Sequence, residues 1–387
     1  MQVNSQQIAI GNTLDIEAVE RELALLWKQT AEEQADEEVA VMRARVANLI
    51  VFTSGQEGLD DINATLNDLS AAHPSRALVI VAERYADDRD IELYASCYSQ
   101  AESRGGKRLS CEEVMLIARG KFVPELPSAA LPLLISDLPT FLWWRDRLKL
   151  DDRTFLDFSR AADRLVIDTA EVEETHATLL ALARLFEEGA QEQLGISDIN
   201  WARLTSWRAL LASFYDPPHC KAALTQIANV IIEYSAPKDD TSAVAPQALL
   251  LAGWLASRLD WELSTEQPQS DHASLQFVVV KESRRIRLEL NRVDRPDIRP
   301  GRLARAQLKT EGDKASFVVS RHENGLHLET KATIERIAQP GRVLPVRNRS
   351  TAQLLGREME ILCNDNVYTE AVKVAARLVQ HIPKINI

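Results

Sequence analysis

A glycine-containing turn is the first place where residue types and spacing suggest chemistry. Residues Thr53–Gly58 read Thr-Ser-Gly-Gln-Glu-Gly and lie between a predicted buried strand and a predicted helix. Backbone N–H groups at the start of a helix can hold a phosphate. The turn lacks the third glycine of the dinucleotide fingerprint and the lysine of a P-loop, and Glu57 would repel an anion. Two interpretations stay open, a phosphate site and, more simply, a plain turn.

A run of arginines is the second candidate. Between Lys281 and Arg305 there are nine basic and four acidic residues, a local net charge of +5 in an acidic chain. Arg285 and Arg287 are two positions apart on a predicted strand, so they share one face. Such a pair can bind phosphate or dock on an acidic protein surface. The alternative is a solvated sheet face whose charges prevent edge-to-edge aggregation.

Adjacent tryptophans form the third candidate. Trp143 and Trp144 directly precede Arg145 in a predicted strand. Neighbouring side chains of a strand point to opposite faces, so one ring can fill the core while the other meets a partner. Tryptophan and arginine are enriched at binding hot spots. We therefore take Trp144 and Arg145, together with the two strand arginines, as candidate partner-binding residues. The alternative is that one tryptophan packs in the core and the other is partly buried.

The four cysteines are scattered, and none forms a Cys-x-x-Cys pair. Reduced thiols are expected in a cytosolic chain. Cys97 and Cys111 lie on the two strands of a predicted hairpin, whose turn contains Gly105 and Gly106, and pairing of these strands can bring them near each other. The alternative for each cysteine is a small buried hydrophobic side chain. A disulfide would need Cα atoms within about 7 Å of each other.

No constellation of catalytic residues is visible in the sequence. The seven histidines are dispersed, and His322 and His327 have no cysteine or carboxylate partner at a zinc spacing. The chain has no Gly-x-Ser-x-Gly elbow. We predict no catalytic residue, no cofactor-binding residue and no metal ligand, and we expect the protein not to be an enzyme.

The elements that must position these residues indicate an α/β fold. A strand over Val46–Thr53, an amphipathic helix and a strand over Ala77–Ala82 form a strand–helix–strand unit, which implies a parallel pair. Alternation of strands and helices continues, so we predict an N-terminal α/β domain over residues 1–192 with a mixed, largely parallel sheet. Residues 193–387 are predicted as an α+β domain with an antiparallel meander, whose strand candidates are Leu275–Lys281, Arg285–Asn291, Leu303–Thr310, Ser316–Ser320 and Leu326–Ala332.

Size and charge limit the classes of function. The chain has 387 residues, which makes two domains the default, and a formal charge of −12. That charge argues against nucleic-acid and anionic-membrane partners. Its longest helix-like apolar run is far shorter than the roughly 20 residues that span a bilayer. We expect a cytoplasmic protein.

Three segments together resemble the glucose-6-phosphate dehydrogenase assembly protein family, known as OpcA. They are His73–Arg76, Ser136–Arg145 and Asp198–Arg208, and the ordered set covers the first 220 residues. The resemblance implies a bacterial, non-catalytic effector that binds glucose-6-phosphate dehydrogenase and promotes its assembly and allosteric activation in the oxidative pentose phosphate pathway. It also implies thioredoxin as a second candidate partner, with Cys97 and Cys111 as the candidate redox residues. The alternative is an enzyme or sensor that binds a sugar phosphate or nucleotide in the N-terminal domain.

Overall fold

A computed structural model describes most of the chain. The described residues are 4–8, 16–33, 41–43, 45–70, 72–101, 108–189, 194–237, 244–271, 273–323, 325–346, 349–361 and 363–383. The helices are α1 (Ile16–Glu33), α2 (Leu59–Ser70), α3 (Leu126–Ala130), α4 (Arg153–Ala161), α5 (Thr175–Glu187), α6 (Ile199–Arg203), α7 (Thr205–Ser213), α8 (Pro218–Leu224), α9 (Pro246–Leu259), α10 (Thr351–Glu360) and α11 (Asn366–His381). The strands are β1 (Asn4–Ile8), β2 (Val41–Arg43), β3 (Ala47–Thr53), β4 (Ser75–Glu83), β5 (Arg89–Ala101), β6 (Arg108–Arg119), β7 (Thr140–Trp144), β8 (Arg164–Ile167), β9 (Gly195–Asp198), β10 (Ile227–Ser235), β11 (Glu262–Leu263), β12 (Gln269–Ser270), β13 (Ser274–Lys281), β14 (Arg284–Val293), β15 (Leu303–Thr310), β16 (Ala315–Arg321), β17 (His327–Ile334), β18 (Ile337–Gln339) and β19 (Val343–Pro345).

The chain divides into two compact units that are discontinuous in sequence. The predicted boundary between residues 192 and 193 falls outside the described residues and stays a prediction. The first unit comprises Met1–Asp168, Ala190–Ile199 and Arg349–Asn364, and the second comprises Thr169–Gly189, Asn200–Asn348 and Asp365–Ile387.

The sheet of the first unit has the order β1-β5-β6-β4-β3-β7-β8-β9, with β2 beside β6. All pairs from β6 to β9 are parallel, whereas β5 pairs antiparallel with both β1 and β6. The predicted mixed, largely parallel sheet is confirmed. Numbered along the chain, the six strands from β6 to β9 follow the doubly wound order 3-2-1-4-5-6. The order therefore reverses between β3 and β7, where such sheets open a crevice at the carboxyl ends of their strands.

Burial in the first unit explains its elements. Every residue of β3 is buried, as expected for a parallel strand covered on both faces. Helix α2 buries Ile62, Leu66 and Leu69, which the helical spacing in the sequence places on one face.

The sheet of the second unit has the order β11-β13-β14-β10-β15-β16-β17-β18, with β12 beside β13 and β19 beside β17. The meander β15-β16-β17 is antiparallel as predicted. Strand β10 lies in the middle of this sheet, between β14 and β15, and it pairs in parallel with β14. The sequence pattern does not predict this position. One face of β14 buries Ile286, Leu288 and Leu290, and its other face carries the arginines.

Gly253 lets two helices of the second unit approach closely. A Cβ atom built on this residue of α9 would overlap the carbonyl oxygen of Ala371 in α11, and it would lie 3.1 Å from the amide nitrogen of Ala375. Both obstacles are backbone atoms, so the helices themselves would have to separate.

We expect Gly253→Ala to lower the free energy of unfolding by about 2 kcal/mol, because overpacking outweighs the gain in helix propensity. Denaturant unfolding of the full chain measures the change. Gly55→Ala is the matched control, because its Cβ would meet nothing within 4 Å. Equal midpoints for the two variants would show that the α9–α11 approach is not tight.

Candidate functional site

Trp144 lies in the core of the first unit. Its side chain is 1% exposed, and its ring stacks on Phe52 with centroids 3.9 Å apart and an interplanar angle of 5°. The ring of Phe155 meets it edge-on at 5.1 Å, and the indole Nε1 donates to the carbonyl of Arg147. A ring that is almost fully buried cannot contact a partner. Trp144 instead packs the end of β7 into the core, directly before Arg145.

Arg145 stands where the strand order reverses. Its amide donates to the carbonyl of Phe52 at 2.9 Å, which ties it to the end of β3. Its guanidinium donates to Asp61 at 2.9 Å and lies 4.8 Å from the ring centroid of Trp143. The same group approaches the Gly58 turn, where an added Cβ would be 3.7 Å from Nη2. Arg145 is thus half-buried and held by its own unit.

In the rest of this crevice, side chains of the first unit also form hydrogen bonds with one another. Gln56 donates to Glu83 at 3.1 Å, and Arg119 binds Glu83 at 2.5 Å and Glu92 at 2.7 Å. Burial alone would lower the pKa of Arg119, but its hydrogen bonds to Glu92 and Glu83 raise it above its usual value. In a dinucleotide-binding fold, an acidic residue at the end of the second strand binds the ribose. Glu83 ends β4, which is the second strand in this order, and here Gln56 and Arg119 of the same unit already bind it. The geometry favours a plain turn at residues 53–58.

The two strand arginines lie on the outward face of the second unit's sheet. Arg285 forms a bidentate pair with Glu266 at 2.5 and 2.6 Å, and both side chains are about half exposed. Hydrogen bonding to Arg285 lowers the pKa of Glu266. Arg287 is 63% exposed and lies 3.9 Å from the carboxylate of Glu289. The structure therefore brings both predicted arginines together on one accessible surface.

These arginines line a pocket of about 370 Å³, together with Asn229 from β10 and Lys309 from β15. Lys309 lies 3.6 Å from Asp313 in the turn after β15. The side-chain oxygen of Asn229 is buried without a hydrogen-bond partner. Sequence reasoning missed Asn229 and Lys309, because the insertion of β10 between β14 and β15 leaves no local signal. Alternation along β10 marks Asn229 as outward-facing but does not identify its neighbours.

The candidate redox cysteines lie on paired strands. In the β5–β6 register Cys111 is opposite Tyr98, and Cys97 is opposite Glu112, so the antiparallel pairing predicted for these segments is confirmed. The side chains of both cysteines, and the predicted turn at Gly105 and Gly106, are outside the described residues. The redox pair therefore stays a prediction.

Within the part of the chain that the structure describes, no cluster of three or more His, Cys, Asp or Glu side chains is arranged to hold a metal ion. Among the described helices, none combines the length and apolar character needed to cross a bilayer.

The segments His73–Arg76 and Ser136–Arg145 have structural roles in the first unit. His73 contacts Glu360 of α10 at 3.0 Å, and Arg76 enters a buried ion network. The residues before β7 are held by Asn48, whose amide donates to the carbonyl of Ile135 at 2.9 Å and accepts from its N–H at 3.0 Å.

The segment Asp198–Arg208 is divided between the units, and residues 200–208 have structural roles in the second unit. Trp201 donates its indole N–H to Asp365 at 2.8 Å, and Arg208 lies 3.5 Å from the centroid of the Trp201 ring. Both tryptophans of the segment, Trp201 and Trp207, are buried. The residues of these three segments thus mainly hold the fold, and the exposed candidates Arg285 and Arg287 lie outside them.

Comparison with known proteins gives a consistent result for both halves of the chain. Residues 66–184 match the family model for the glucose-6-phosphate dehydrogenase subunit N-terminal domain, and residues 194–372 match the model for the C-terminal domain. The chain is 25% identical over 339 residues to an OxPP cycle protein OpcA of Nostoc punctiforme, covering 84% of this chain and 70% of that protein. It is 24% identical over 390 residues to the OpcA protein of a Synechocystis species, covering 98% and 78%.

Among solved structures, a dehydrogenase (MviM) from Clostridium difficile is similar at a TM-score of 0.45 and 9% identity, covering 86% of this chain and 97% of that one. A similarity at this level carries no argument about activity.

Proposed function

The chain belongs to the OpcA family of glucose-6-phosphate dehydrogenase subunits, and from this premise we propose that it binds glucose-6-phosphate dehydrogenase and promotes assembly and activation of that enzyme. The observation that carries the proposal is the pair of family models, which together span residues 66–184 and 194–372. A cytoplasmic location and a place in the oxidative pentose phosphate pathway accompany it.

The proposed mechanism is a shift of population without catalysis by this chain. A bound protein changes an enzyme's equilibrium only through its higher affinity for the active assembly. Support for a non-catalytic role comes from the crevice at the carboxyl end of the first sheet, where Gln56, Arg119 and Arg145 bind carboxylates of their own unit. The exposed partner-binding candidates are Arg285 and Arg287. Arg145 is a half-buried candidate, and the buried Trp144 is left out of the proposed surface.

Two finer points belong to the same proposal. Thioredoxin is a second candidate partner, and it is tied to Cys97 and Cys111. The domains are proposed to meet between residues 192 and 193, a position in the gap between the two matched family ranges.

Co-purification with glucose-6-phosphate dehydrogenase from the same cell tests the proposed function. We expect the two proteins to elute together, and the dehydrogenase to become more active and form larger assemblies when this chain is added. The chain alone should turn over neither glucose 6-phosphate nor a nicotinamide cofactor. Unchanged dehydrogenase activity and separate elution would contradict the proposal.

A thermal-shift measurement separates this function from the alternative of a nucleotide or sugar-phosphate sensor. A ligand at 100 times its dissociation constant would stabilise the chain by about 2.7 kcal/mol. Because the crevice side chains are engaged with one another, we expect NADP⁺, NADPH and glucose 6-phosphate to leave the melting temperature of the isolated chain unchanged. A saturable rise with any of them would favour the sensor.

A further inference from the structure

The edge of the second unit's sheet carries a concentration of exposed apolar side chains. Four of the nine large hydrophobic side chains that are exposed in the described part of the chain lie between residues 326 and 344. Three of them, Leu326, Ile337 and Leu344, form what we call the edge patch. We propose that the edge patch docks against an apolar surface segment of glucose-6-phosphate dehydrogenase that presents a carboxylate to Arg342. This inference rests on the proposed function, since it names the surface and the chemistry by which the partner is held.

Strand pairing places the three residues of the edge patch on one face of the sheet. Leu344 of β19 is opposite Leu328 of β17, and Ile337 of β18 is opposite Ile334 of β17. Leu326 directly precedes β17, and its carbonyl accepts from the residue after β19 at 2.7 Å, so the pairing continues to it. Side chains two positions apart along a strand share a face, so all of these residues lie on the same side.

Burial changes along this face from core to solvent. The rings that follow α7 cover Phe317 of β16 on this face, and Leu328 of β17 is 2% exposed. In contrast, Leu326, Ile337 and Leu344 are 54%, 65% and 43% exposed. The core face of the sheet thus extends to its edge without cover there. Contiguous exposed apolar surface of this kind marks interaction sites.

Arg342 adds a charged group within the edge patch. Its backbone exchanges hydrogen bonds of 2.8 Å with Thr330 of β17, and it lies between Ile337 and Leu344 along the edge. It is two positions from Leu344, so its exposed side chain is on the same face. Within the described residues its guanidinium forms no ion pair. Arginine is enriched at binding hot spots, and a carboxylate forms its strongest hydrogen bonds.

The acidic residues of these edge strands leave Arg342 available to a partner. Two occur between the start of β17 and the end of β19. Glu329 lies on the opposite face, where it pairs with Lys331 at 3.1 Å, and Glu335 lies in the turn between β17 and β18. None of the described carboxylates is bound to Arg342, so a docking segment can supply one.

Two prolines decide how a partner can approach this edge. Arg342 and Val346 form backbone hydrogen bonds to β17, so Pro345, at the alternate position, directs its backbone away from the sheet. Pro340 separates β18 from β19. Neither proline has an N–H to donate to a further strand, and proline on an edge prevents edge-to-edge association. The edge patch is therefore suited to side-chain docking of a partner and not to strand addition by a second copy of this chain.

Removal of the apolar side chains tests the inference. We expect the double variant Ile337→Ser/Leu344→Ser to bind the dehydrogenase at least about tenfold more weakly than wild type, because less apolar area is buried on association. Leu25→Ser is the matched control, because it shortens a leucine of α1 that is 53% exposed. Circular dichroism and the melting temperature verify that each variant is folded, as expected for changes at exposed positions.

Changes at Arg342 give a second, graded test. We expect Arg342→Gln to weaken binding about threefold and Arg342→Glu about tenfold at low salt, since the first removes a charge-assisted hydrogen bond and the second adds repulsion. The difference between the two variants should shrink at high salt, because exposed charges are screened. Arg377→Glu is the matched control, because it reverses an exposed charge of the second unit on α11. A role confined to folding would not produce this order.

The outcomes distinguish the inference from the function on which it rests. If wild type fails to bind the dehydrogenase, the proposed function is wrong. If wild type binds and the serine variant binds equally well, the function stands and the edge patch is overturned as the docking surface. If only the Arg342 variants bind like wild type, the carboxylate assignment is overturned. If sedimentation of the chain alone shows a wild-type dimer that the serine variant dissociates, the edge patch joins two copies of this chain and the docking inference is overturned.

Discussion

Replacing Trp144 with alanine is expected to lower the free energy of unfolding by about 3–5 kcal/mol, the range for deleting a buried tryptophan from a core. The ring stacks on Phe52, meets Phe155 edge-on and is 1% exposed, so its removal leaves a cavity that rigid strands cannot close. Activation of the dehydrogenase should be lost only to the extent that the protein unfolds.

Denaturant unfolding and an activation assay on the same samples check this prediction. Tyr85→Ala is the matched control, because Tyr85 is 98% exposed and should change stability by less than about 0.5 kcal/mol. A Trp144→Ala variant that keeps its stability and yet fails to bind the dehydrogenase would identify Trp144 as a contact residue and contradict the assignment made from its burial.

Replacing Arg76 with methionine is expected to lower the free energy of unfolding by about 3 kcal/mol, the lower end of the range for removing one partner of a buried ion pair. The buried Glu112 loses both of its hydrogen bonds from Arg76, while its pairing with Arg45 remains. Arg76 is 2% exposed and donates to Glu112 at 2.8 and 3.1 Å, to Glu20 of α1, and to the carbonyl of Leu133 at 3.0 Å. Burial alone would lower the pKa of Arg76, but its hydrogen bond to Glu20 and the charge of Glu112 raise it above its usual value.

The coupling between the two buried charges distinguishes an ion network from simple packing. In a double-mutant cycle, Arg76→Met with Glu112→Gln should cost clearly less than the sum of the single changes, because the interaction between the two residues is lost in each single variant and is lost only once in the double variant. Arg160→Met is the control, since that side chain is 71% exposed and pairs with Asp157 on the surface. Additive effects of the two buried substitutions would show that the network is not coupled.

The burial of the parallel strands could be predicted from the sequence, because it follows from the apolar pattern within each strand. The apolar runs of β3 and β4 required cover on both faces, and the alternation in β14 separated Ile286 and Leu288 from Arg285 and Arg287. The same reasoning did not decide which of two adjacent tryptophans is exposed. Alternation puts Trp143 and Trp144 on opposite faces, but both faces of β7 are covered, so both rings are buried.

The contacts that the sequence did not predict join residues that are far apart in the chain. Asn48 holds the segment before β7 across 87 positions, and Arg76 meets Glu20 across 56 positions. The signal for such contacts is a polar residue within an apolar strand. That signal indicates that a partner is needed and not which residue supplies it.

The chain's sequence alone determined that it is an acidic α/β protein of a recognisable family with a basic strand near its carboxyl end, because composition, periodicity and motif order are local properties. Only the tertiary structure decided that Trp144 is enclosed, that the first sheet's crevice is cross-linked, and that Asn229 and Lys309 join Arg287 in one pocket. The reason is physical. Strand order and register depend on packing across the whole sheet, and side-chain exposure depends on what covers each face, so neither is encoded in any short stretch of residues.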